Sequence, residues 1–205
     1  AAGLNGNRYV TFHQLGREQT QKLHEDDRLY DVGYIIFVGS TTLGNSSLTL
    51  YLREYHDNAL AMYPAISEIK EGRLPEKASE IALSEDSLRY LGLDAAVGDT
   101  VSLDMRVSVM DGSLPEFEYC GKFILTGILE SSYIGYSTGT VEGIVGNGTA
   151  EKLLPEEYLL YSTDFKTHDK KNFQSIVYDL AKNLDVEDRY IQYNWILLDA
   201  VGISY

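Results

Sequence analysis

Chemistry at a protein surface needs carboxylates, histidines or a nucleophile at workable spacings, and a few groupings in this chain invite that reading. His24, Asp26 and Asp27 bring potential metal ligands close together in sequence. Glu116 and Glu118 lie two apart, as a candidate acid–base pair for glycoside hydrolysis. Cys120 is the single thiol, and Gly146-Asn147-Gly148-Thr149 has the glycine content of a phosphate loop. None reaches a working pattern. The His24 group falls at the charged end of a polar helix, where solvation is the ordinary state, and His13, His56 and His168 are scattered. Glu116 and Glu118 read as solvent-facing residues of an amphipathic strand. Cys120, inside the same strand, reads as a small buried or half-buried thiol. The glycine loop lacks the lysine of a triphosphate cradle, and there is no H-E-x-x-H. The expectation is no catalytic residue, no cofactor and no metal.

The elements that would carry such groups are set out by hydropathy. Arg8 to Phe12 reads as a strand, Gly16 to Glu25 as a polar helix and Leu29 to Val38 as an apolar strand. A polar loop then leads to a strand in which Leu48, Leu50 and Leu52 alternate with Thr49, Tyr51 and Arg53. Near the other end Tyr158 to Ser162 reads as a strand. Phe173, Ile176, Val177, Leu180, Ala181 and Leu184 form one helical stripe, followed by a short strand, Tyr190 to Tyr193, and a helical Asn194 to Leu198. Between these halves Gly72-Arg73-Leu74-Pro75 is a bend and Glu80 to Leu83 a short strand. Ser84 caps a short helix that Gly92 ends. Gly98-Asp99 then turns into the alternating Val101, Leu103, Met105, Val107 and Val109. Asp111-Gly112 joins that strand to Phe117, Tyr119, Gly121, Phe123 and Leu125 as a hairpin, with bulges expected at Gly121 and Gly127. The predicted fold class is α+β. Both chain ends (1–69 and 150–205) make a ferredoxin-like or porter-like sheet-and-helix subdomain, and 70–149 is an inserted mixed, β-rich subdomain.

The run Gly-Arg-Leu-Pro, Glu-Ile-x-Leu-Ser, a short helix, Leu-Gly, then x-Val-Gly-Asp-Thr-Val resembles the extracytoplasmic domain of FtsX-like and MacB-like ABC transporter permeases, the MacB-like periplasmic core domain. Gly72, Arg73, Leu74, Pro75, Glu80, Gly98 and Asp99 match its pattern. The resemblance is clear over 70–130 and topological elsewhere. It implies a non-catalytic domain on the outer side of a bacterial cytoplasmic membrane. The implied partners are the membrane helices of the same permease, a separate ATPase subunit or domain, and an unidentified substrate or extracellular protein. It also admits a homodimer in the full transporter.

Composition agrees with those implications. At 205 residues and 44% hydrophobic content the chain can bury a core without staples, and one cysteine excludes an internal disulfide. With 31 acidic against 17 basic residues, the net charge of −14 repels phosphate backbones, so nucleic acid is not an expected partner. No apolar run reaches the roughly 18 residues of a membrane span, and the N-terminus lacks a signal-peptide layout. The ends read as cut between flanking elements, which the resemblance identifies as membrane helices. The Arg8 strand and the Trp195 segment are then expected at one end of the domain. Sixteen Tyr against six Phe and one Trp is a marked bias. Tyr133 and Tyr136, in a Ser- and Gly-bearing loop, are the candidate partner-binding residues. A stand-alone extracellular peptide- or glycan-binding module is the alternative reading.

Overall fold

The computed structural model describes residues 6–131 and 138–204. In chain order its elements are β1 Val10–Leu15, α1 Arg17–Glu25, β2 Leu29–Thr42, β3 Thr49–Asp57, β4 Ile69–Gly72, β5 Glu80–Ser84, α2 Glu85–Tyr90, β6 Thr100–Val107, β7 Phe117–Leu129, β8 Thr140–Val145, α3 Thr149–Leu153, β9 Tyr161–Thr167, α4 Phe173–Asn183, β10 Ile191–Tyr193 and α5 Trp195–Ala200. The protein is a strand-rich mixed α/β chain with a few short helices, and it divides into two compact units. Unit 1 comprises Ala1–Ile35, His56–Tyr63 and Leu160–Tyr205; unit 2 comprises Ile36–Tyr55 and Pro64–Leu159.

In unit 1 the strand order is β10-β1-β9-β2. β1 runs antiparallel to both neighbours, with Val10 opposite Tyr193 on one side and Phe165 on the other. The helical stripe predicted for α4 is buried at Phe173, Ile176, Val177, Leu180 and Ala181. With Phe12, Phe165, Leu15 and Leu23 it makes the core of the unit. Phe12 and Phe165 meet edge to face at 5.1 Å. The strand expected at Tyr158 to Ser162 begins later, at Tyr161. Tyr158 instead closes a short 3₁₀ turn after Pro155, whose ring favours a bend before the chain can extend.

In unit 2 the order is β3-β8-β5-β7-β4, with β6 on β7 as well. β7 is the organising strand. Its first half forms the expected hairpin with β6, from Val107 opposite Phe117 to Thr100 opposite Ile124. Its second half takes β5 in parallel and β4 antiparallel. The hydrophobic alternation of β6 is buried at Val101, Leu103, Met105 and Val107. Gly127 does sit beside a register shift, since Ile81 faces Leu125 while Ala82 faces Gly127. Gly121 does not: pairing runs through it unbroken. A Cβ there would lie 2.6 Å from the Phe123 ring, so its glycine makes room for an aromatic.

Candidate functional site

The matching motif residues gather around one short stretch of β7, Leu125 to Gly127. Gly72 ends β4 with φ +76, and a Cβ on it would stand 2.2 Å from the Thr126 carbonyl oxygen. Only glycine lets the two strands close there. The chain then turns so that Arg73 N–H donates to the Thr126 carbonyl at 2.9 Å and the Thr126 hydroxyl donates back to the Arg73 carbonyl at 3.1 Å. The Arg73 guanidinium forks onto Glu80, 3.1 Å to Oε1 and 2.6 Å to Oε2. Glu80 also accepts the backbone N–H groups of Glu76 and Lys77, each at 2.9 Å. One carboxylate thus closes the 73–80 loop, and the Leu74-Pro75 step lies inside it. These donors, Arg73 first, hold the Glu80 carboxyl down at about 2, well below the usual carboxylate range. At the same point of β7, Gly98 N–H donates to Leu125 O at 2.8 Å and Leu125 N–H donates to Asp99 O at 2.9 Å. The Asp99 carboxylate caps its own turn at Ala96 N–H. The geometry uses these residues to join strands and leaves no group poised for catalysis.

A second polar cluster lies in unit 1. Asp164 is fully buried on β9, and Arg8 beside it is 3% exposed. Asp164 accepts from the Thr11 hydroxyl and, at 2.9 Å, from the Tyr63 hydroxyl, with Arg8 Nε at 3.4 Å. Arg8 Nε donates to Tyr63 at 3.0 Å. Burial pushes the Asp164 carboxyl up to about 6 against the pull of these donors, and raises the Tyr63 phenol as well. Sequence reading missed this cluster, because its members are far apart and Asp164 interrupts an otherwise ordinary strand pattern. Nearby, Asn194 is 2% exposed and binds three segments together. Its backbone N–H donates to Tyr9 O, its amide donates to Gly6 O and Arg8 O, all at 3.0 Å, and its side-chain oxygen caps Leu197 N–H of α5. The first and last described segments of the chain are therefore side by side.

The other sequence candidates separate. His24 Nε2 lies 3.0 Å from Asp57, whereas Asp26 binds Arg28, so the His24 grouping is dispersed. Among the described residues no cluster of His, Cys, Asp or Glu could hold a metal. Glu116 and Glu118 face solvent. Cys120 is exposed, against the expected half-buried thiol: the buried face of β7 carries Gly121 and Phe123, and alternation puts Cys120 with Glu118 and Lys122 in water. The 146–149 turn is filled from within, since buried Glu54 accepts from Gly148 and Ala150 N–H. Tyr133 and Tyr136 lie outside the described residues. Two nucleophile patterns escaped the motif reading. Ser67-Glu68-Ile69-Lys70 spells S-x-x-K, but Lys70 pairs with Glu85 at 2.6 Å and Ser67 donates to Pro64 O. Gly135-Tyr136-Ser137-Thr138-Gly139 spells G-x-S-x-G, but it runs directly into strand β8 instead of a helix, the reverse of a nucleophile elbow.

The architecture defines a class: a two-unit, strand-rich α/β domain whose ends return to the same unit. A solved structure with this fold is the periplasmic region of MacB from Actinobacillus actinomycetemcomitans, similar over 97% of this chain and 94% of that one, with a TM-score of 0.51 and 12% identity. A domain assigned to a permease from Porphyromonas gingivalis is similar over 91% and 87%, with a TM-score of 0.43 and 12% identity. No family model and no curated relative matches the sequence. The resemblance drawn from the Gly72 to Asp99 motifs is thus met at the level of the fold.

Proposed function

We propose that this chain is the extracytoplasmic domain of a bacterial ABC transporter permease, non-catalytic, placed on the outer side of the cytoplasmic membrane. The observation that carries the reading is Asn194, which ties the entry segment Gly6 to Tyr9 to the start of the last helix. A domain inserted between two neighbouring membrane helices needs its entry and exit together. The fold shared with the MacB periplasmic region supports the same reading. The order β10-β1-β9-β2, in which β1 runs antiparallel to both neighbours, supports the ferredoxin-like, porter-like description of unit 1. In this account the membrane helices and a separate ATPase subunit or domain supply the motion, and the domain relays it while binding a substrate or partner protein. Tyr133 and Tyr136 are the proposed contact residues, and the 73–80 corner is a rigid joint within unit 2.

Location is tested through Cys120, which is exposed and is the only thiol of this segment. In intact cells carrying the full-length chain, with other cysteines replaced, a membrane-impermeant maleimide labels Cys120 under this proposal. Labelling that requires broken cells would overturn it.

A further inference from the structure

Among the described residues only one place exposes two large apolar side chains in succession: Trp195, 45% exposed, and Ile196, 67% exposed, in the first turn of α5. This turn is held out, not frayed. Asn194 caps it. At the other end Gly202, with φ +75, lets Ile203 N–H bond back to Leu198 O at 2.9 Å, and Leu198 and Ile203 are both buried. Tyr193 stacks on Trp195 at 4.7 Å and fixes the indole. The fold therefore accepts a constant hydrophobic cost at the point where the Gly6 to Tyr9 segment and the C-terminal segment meet.

We propose that the Trp195–Ile196 turn rests in the interfacial zone of the lipid bilayer, an inference that rests on the permease reading and gives it a contact surface. An indole with a polar edge beside an aliphatic side chain suits the headgroup boundary. Charge favours unit 1 for this contact. It carries nine Lys and Arg against thirteen Asp and Glu, net −4, whereas unit 2 carries eight against eighteen, net −10. Asp199, exposed one turn further along α5, keeps the contact shallow. A short turn of this kind does not bind membranes unaided; it acts because the adjoining chain holds it there at high effective concentration.

Trp195 is the only tryptophan in the chain, so its emission reads this turn alone. The 205-residue protein, tethered by a C-terminal hexahistidine tag to phosphatidylcholine vesicles containing a nickel-chelating lipid, is compared with and without brominated acyl chains. The expected result is a blue shift on tethering and a loss of emission with the brominated lipid. Ile196→Ser diminishes both, and tethering through the N-terminus reproduces them because Gly6 and Arg8 adjoin Asn194. Emission indifferent to bromination overturns the proposal. So does a blue shift that grows with protein concentration without lipid, which assigns the turn to a second copy of the chain. Cys120 labelled in intact cells with Trp195 unquenched removes the bilayer contact alone, whereas Cys120 unlabelled removes the permease reading itself.

Discussion

Gly72 and Gly98 both hold positive φ, yet they should respond differently to a methyl group. At Gly98 a Cβ meets nothing within 4 Å, whereas at Gly72 it meets the Thr126 backbone at 2.2 Å. Gly98→Ala should therefore cost about 1 kcal/mol through φ alone, and Gly72→Ala distinctly more, while Pro75→Ala costs about 0.4–1 kcal/mol through the unfolded chain. Urea melts of the three variants check the order, and equal losses would contradict the close approach of β4 and β7. Two carboxylates have opposite pH signatures. Glu80 is held at about 2 in the fold against 4.5 when unfolded, so its stabilisation is complete above pH 4.5 and fades as pH falls toward 2. Glu80→Gln should flatten that acid limb. Asp164 is raised from 3.8 to about 6, so its ionisation removes stability as pH rises across that interval, and Asp164→Asn should flatten the slope there. Because Arg8 would be left buried without its charge partner, Asp164→Ala should cost about 3–5 kcal/mol by denaturant titration.

At the level of elements, Asn194 is the residue on which the account of the chain ends depends. Asn194→Ala removes the α5 cap and the donors to Gly6 and Arg8 carbonyls, and should cost about 2 kcal/mol. Hydrogen exchange should quicken at Leu197–Val201 and at Tyr9, while the α4 stripe stays protected; uniform protection would show that the tie is dispensable. Elements with a clear period were legible in the sequence. The stripe of α4, the alternation of β6 and the caps of α2 all appear where the residues direct, because each is decided by local spacing. β8 was not legible: Val141-Glu142-Gly143-Ile144-Val145 breaks alternation, and it becomes a strand only because β3 and β5 pair with it. β4 was hidden for a similar reason, being four residues with only Ile69 partly buried. Of the site, the Gly72 to Glu80 corner could be read because its parts are close in sequence. The Arg8, Tyr63 and Asp164 cluster could not, since only β1–β9 pairing brings it together.

For the whole molecule, the central claim is that motion delivered at the adjoining chain ends reaches the far unit. Labels at exposed sites in each unit read this directly: native Cys120 in unit 2 and Tyr178→Cys, at a residue 71% exposed, in unit 1. The protein is the full-length chain, otherwise free of cysteine, reconstituted in phosphatidylcholine nanodiscs with its ATPase and spin-labelled at both positions. Distance distributions are recorded by pulsed electron resonance without nucleotide and with ATP trapped. The account predicts two distinct distributions that interconvert with nucleotide state. Superimposable distributions, in a preparation that demonstrably turns over ATP, would contradict the relay and leave a domain that only binds.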